Sequence, residues 1–63
     1  MNMNTRDIIT KKLLDAQEMV RDFEMFSKHV EDQEVLEAFK SFAEESGMQA
    51  HKLQALADKY RQE

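Results

Sequence analysis

Residues 34–56, EVLEAFKSFAEESGMQAHKLQAL, carry apolar or small side chains at Leu36, Phe39, Ala43, Ser46, Ala50 and Leu53, and the series continues to Ala57 and Tyr60. The steps alternate strictly between three and four. Steps of three and four each return a helical chain to nearly the same face, so the pattern is that of one helix with a narrow seam. A seam of this length needs a second helix to cover it.

The preceding residues supply that helix. Ile9, Leu13, Ala16, Val20, Phe23, Ser27 and Val30 repeat the same steps, and Ile8, Met19 and Phe26 widen the stripe. The spacing predicts a first helix over about residues 5–30, roughly 38 Å long if straight. Asn4 or Thr5 is its expected cap, with Asp7 in the first turn where the helix dipole favours a negative charge. Met1 to Met3 are expected to form a frayed leader.

Residues 28–33, KHVEDQ, are polar and hold no seam position after Val30. Asp32 is expected to cap a second helix over about residues 33–61, its carboxylate accepting from the amide of Glu34 or Val35. Lys28 and His29 fall in the expected last turn of the first helix, where cations are favoured. Gly47 could break the second helix, at a cost of about 1 kcal/mol if it stays helical, but the seam passes through it without losing phase. A continuous helix is therefore predicted. So short a link makes the two helices antiparallel, and residues 1–63 are read as a single all-α hairpin.

Composition agrees with long helices. Among the 63 residues there is one glycine, no proline and no cysteine, and Glu, Lys, Gln, Ala, Leu and Met are good helix formers. Without cysteine there is no disulfide staple, and two histidines are too few for a histidine-rich structural metal site; for so short a chain the remaining staple is oligomerisation. The net charge of -4 and the scattered basic residues argue against nucleic acid. No apolar run approaches the roughly 20 residues that span a bilayer, and Met1 to Thr10 lack the pattern of a secretory signal. The expectation is a soluble, cytoplasmic protein.

Both stripes are wider than a two-residue seam. Met19 and Phe26 flank that of the first helix, and Val35, Phe42, Gln49 and Leu56 flank that of the second. Such width suits a helix with two neighbours, so two hairpins are expected to form a homodimeric four-helix bundle with folding and association coupled. A higher even-numbered homo-oligomer would follow if Ile8, Leu14 and Met25 formed a second, outer patch. Phe23, Phe26, Phe39 and Phe42 are read as core, and Met19, Met25 and Met48 as bundle filling rather than soft-metal ligands.

Residues 31–53, EDQEVLEAFKSFAEESGMQAHKL, resemble the first helical hairpin of the ferritin-like superfamily, in particular rubrerythrin-like proteins. The matching residues are Asp32, Glu34, Val35, Phe39, Ala43, Glu44 and Glu45, and the resemblance covers about residues 16–56. The proline that opens the second helix in that family is absent here. The resemblance implies a four-helix bundle and a di-iron centre built on a Glu-x-x-His pair that follows the Ala-Glu-Glu run. Those two positions fall on Ser46 and Gln49, and the first helix's glutamate position falls on Met19, with Glu18 one step away on another face. This chain thus keeps the bundle pattern and substitutes the ligands.

Other chemistry is sparse. There is no cysteine nucleophile, no glycine-rich phosphate loop and no Ser-His-acid set that one hairpin could assemble. Glu44 and His51 share a helix face beside Ala43 and Ala50 and are expected to be solvated; His29 is expected to be a turn residue; Ser27, Ser46 and Gln49 are read as spacing residues at the core edge. Pairs such as Glu24 with Lys28 contribute a few tenths of a kcal/mol on a helix surface. The reading is a non-catalytic module with an interaction or assembly role, no catalytic or cofactor-binding residues and no metal. The alternative is a ferritin-like iron protein whose symmetry-related Glu18, Glu45 and His51 meet across a dimer.

Overall fold

The computed structural model describes residues 3–60. Two helices pack side by side, α1 over Thr5–Ser27 and α2 over Gln33–Lys59. Their antiparallel course follows from the short connection, residues 28–32. Met1 and Asn2 of the expected leader, and Arg61 at the expected end of the second helix, lie outside the described residues.

Both helices start where a side chain satisfies an orphan amide. The Asp7 N–H donates to Asn4 Oδ1 at 2.8 Å, and the Val35 N–H donates to Asp32 Oδ1 at 2.9 Å. Each cap is extended, with ψ of 173° at Asn4 and 124° at Asp32, which turns its side chain back over the first helical turn. Gly47 stays inside α2 without a positive φ. The helix is continuous through it.

The end of α1 departs from the expectation. The helix stops at Ser27, and Lys28 is the C-cap rather than part of the last turn, which contains no basic residue. Tighter bonds replace the helical ladder here: the Lys28 N–H donates to the Met25 carbonyl at 3.2 Å and the His29 N–H to the Phe26 carbonyl at 3.0 Å. The Ser27 hydroxyl donates to the Glu24 carbonyl at 2.7 Å, a local bond that competes with the helix backbone. Val30 therefore lies in the connection, half-buried, and not in the helix. The expected Glu24–Lys28 pair is not among the ion pairs of the described residues. The ion pairs seen among the described residues are Lys11–Asp15 at 2.7 Å and Lys12–Asp15 at 3.5 Å.

Packing follows the seam, and it is thin. The buried residues are Leu13, Ala16, Ser27, Ala43 and Ser46, so Leu13 is the one large side chain among them. Small residues let the two backbones approach closely, but they remove little apolar surface from water. Phe23 and Phe39 are half-buried across the seam with ring centroids 5.3 Å apart, and among the described residues no side chain is fully buried. The radius of gyration is 14.4 Å and the extents are 47 × 24 × 13 Å, against about 10.6 Å for a compact domain of this length. The hairpin is one layer of helices, where a domain normally stacks two.

Candidate protein-interaction face

In α1, Lys12, Met19 and Phe26 each precede the seam residue that opens a three-residue step: Leu13, Val20 and Ser27. In α2, Val35, Phe42, Gln49 and Leu56 do the same before Leu36, Ala43, Ala50 and Ala57. A two-fold rotation normal to the plane of two antiparallel helices exchanges them without turning the pair over, so equivalent flank positions share one side. The opposite side is marked by a shallow concavity of about 420 Å³, lined by Glu24 and Ser27 of α1, by Lys28 at its C-cap, and by Lys40, Ala43 and Glu44 of α2. Each of its charged residues comes one place after a seam residue: Glu24 after Phe23, Lys28 after Ser27, Lys40 after Phe39 and Glu44 after Ala43. The flank residues that precede the seam therefore occupy the other side together.

That other side is apolar. Met19, Phe26, Val35 and Phe42 are 37–49% exposed, and Phe42 leans on the half-buried Phe23 with centroids 5.4 Å apart. Phe23 is level with Phe39 and Phe42, and Asn4, Thr5 and Arg6 line a smaller hollow of about 300 Å³ with Tyr60. Stepping along both helices at about 1.5 Å per residue then places Phe26 near Val35, Met19 near Phe42 and Lys12 near Gln49, with Ile8, which precedes the seam residue Ile9 and lies further round the same side, level with Leu56. From the turn outward the side reads apolar, apolar, polar, apolar. Contiguous exposed apolar surface of this kind marks an interaction site or a missing neighbour.

The remaining exposed apolar residues do not extend this surface. Met25 and Met48 are exposed, Met48 at 68%, because 100° per residue carries them to the side of each helix opposite the seam. Both thus face away from the partner helix and from the apolar side that the expected bundle would cover. Leu14 belongs to the charged side, and Ile8 and Met25 are about 26 Å apart along α1. Ile8, Leu14 and Met25 thus do not gather into one outer patch.

Glu18, Glu45, His51, Glu44 and His29 are all exposed. Glu18 points away from α2, and Glu45 and His51 leave the seam of α2 on opposite sides. Among the described residues no three His, Cys, Asp or Glu side chains gather where they could hold a metal ion. Of the positions where the ferritin-like resemblance puts ligands, Ser46 is buried in the seam while Gln49 and Met19 are exposed on the apolar side. The electrostatic feature that stands out is Asp15. The Lys11 ammonium donates to both its oxygens at 2.7 and 2.8 Å, and this bond, with the charge of Lys11 and the hydrogen bond and charge of Lys12, holds the carboxyl below the usual carboxylate range against an opposing desolvation. Carboxylate–lysine pairs one turn apart on a helix surface add a few tenths of a kcal/mol to the helix.

No protein-family model, curated protein or solved structure matches the chain. Among the described residues no helix is long and apolar enough to cross a membrane.

Proposed function

We propose that the protein is a non-catalytic helical-hairpin module that works as a homodimeric four-helix bundle, in an interaction or assembly role and in a cytoplasmic setting that suits a cysteine-free chain. The observation that carries the reading is the apolar side formed by Met19, Phe26, Val35 and Phe42 on a hairpin one layer thick. Surface area supports it. The chain exposes 5211 Å², whereas a compact monomer of 7.5 kDa exposes about 4,200 Å². The surplus, about 1,000 Å², is close to the roughly 800 Å² that each partner gives up in an interface of standard size. Two apolar sides laid together make the two-layer core that one copy lacks. The result has the bundle architecture that the ferritin-like resemblance implies.

Native mass spectrometry, before and after anaerobic exposure to ferrous iron, tests both parts of the reading. A dimer whose mass is unchanged by iron is the expected result. A monomer at micromolar concentration overturns the bundle, and a dimer that takes up a fixed number of iron ions overturns the non-catalytic module.

A further inference from the structure

We infer that the second copy docks with its turn at the same end as the first, so that α1 of each copy lies against α2 of the other. This rests on the dimer reading and adds to it an orientation. Two symmetric ways exist to lay the apolar sides together. A two-fold axis parallel to the helices keeps every residue at its own level and sets α1 over α2 of the second copy. A two-fold axis across the helices turns one copy end for end and sets α1 over α1, α2 over α2.

The order of side chains along the face separates the two. In the same-end arrangement Phe26 meets Val35 of the second copy, Met19 meets Phe42, Lys12 meets Gln49 and Ile8 meets Leu56. Every apolar residue faces an apolar one. The polar pair faces itself, Gln49 offering a carbonyl oxygen to the Lys12 ammonium. In the end-for-end arrangement with full overlap, Met19 and Phe42 are carried onto Lys12 and Gln49 of the second copy. That leaves a lysine against the largest apolar patch, a mismatch of the kind that selects against a wrong partner. Sliding the copies until the apolar patches overlap leaves Ile8 and Leu56 uncovered.

The absence of cysteine makes the orientation measurable. Two variants of different mass, Lys12→Cys and Gln49→Cys, are mixed, re-equilibrated and oxidised, and a spin label on Glu31→Cys reports the distance between turns. The same-end dimer gives mainly the mixed Lys12→Cys/Gln49→Cys disulfide and a short distance between turns, within about 25 Å. Disulfides confined to like chains, or turns separated by a helix length of roughly 35–40 Å, overturn the orientation while leaving the dimer standing. Sedimentation of the unmodified chain as a monomer overturns the dimer reading itself, and with it the orientation.

Discussion

The two sides of the hairpin flank the same seam, yet one presents Met19, Phe26, Val35 and Phe42 while the other presents Glu24, Lys28, Lys40 and Glu44. Two residues, about half a turn of helix, separate Phe42 from the charged residues at 40 and 44. The seam between the sides is made mainly of small residues, so it fixes the spacing of the helices and contributes little burial. The difference divides the work under the proposed dimer: the seam sets the geometry, and covering the apolar side supplies most of the burial. Substitutions should therefore divide by side.

The largest effect is expected from Phe26→Glu. Covering a Phe side chain is worth about 1.5–3 kcal/mol, and two-fold symmetry counts it in both copies. The dimer dissociation constant should rise by roughly 10²- to 10⁴-fold, read by sedimentation equilibrium. Lys40→Glu makes the matching change on the charged side and should shift stability by less than about 0.5 kcal/mol. Equal effects from the two would erase the distinction between the sides.

Next in size is the seam itself. Ser46 is 7% exposed between the helices, and Ser46→Leu forces a larger side chain into the closest approach. Overpacking of this kind costs about 1–3 kcal/mol, seen as a lower midpoint of thermal unfolding. Parting the helices would also spoil the apolar side, so the variant should weaken the dimer as well. A variant that unfolds at the native temperature and dimerises normally would show that the helix spacing is not set at Ser46.

The seam was legible in the sequence because it depends on one number, the helical period, and because a small residue such as Ala16 or Ser46 keeps the phase as well as a Leu does. The caps at Asn4 and Asp32 were legible because their chemistry is local. The end of α1 was not. It depends on the Ser27 hydroxyl bonding the Glu24 carbonyl and on the tight turn at Lys28 and His29, a local contest that the period does not register. The reading of Met25 and Met48 as bundle filling misses their helical phase, which points them outward. Flank residues such as Phe26 and Phe42 were recognisable one by one. That they share a side follows only when the antiparallel pairing is combined with their place just before the seam.

Gly47 offers a smaller effect of opposite sign. A Cβ built there meets nothing within 4 Å, and φ is not in the left-handed region. Gly47→Ala should therefore stabilise α2 by up to about 1 kcal/mol through reduced chain entropy in the unfolded state. Gly47 follows the seam, as the charged side does, so the gain should leave the dimer interface unchanged. A rise in the unfolding midpoint without a change in the dimer's mass is the expected result. Destabilisation would mean that a neighbour in the assembly covers this side too.

The smallest effect belongs to Asp15, and it reports on whether the hairpin stands alone. Lys11 holds the Asp15 carboxyl below its ordinary value, so unfolding lets the group take up a proton more readily. Its contribution is full above the unfolded carboxylate value and is lost as pH falls through the lower folded value. Exposure and salt keep that contribution small. The Lys11–Asp15 pair needs α1 to be helical and needs nothing from the second copy, because its partners are one helical turn apart. Titration of Asp15 by NMR in the Phe26→Glu variant thus separates folding from association. If the two are coupled, the dissociated chain loses its helix and the Asp15 value relaxes upward to that of an unfolded chain. If the shift survives in the monomer, the small-residue seam is enough to hold the hairpin, and the apolar side is purely a binding surface.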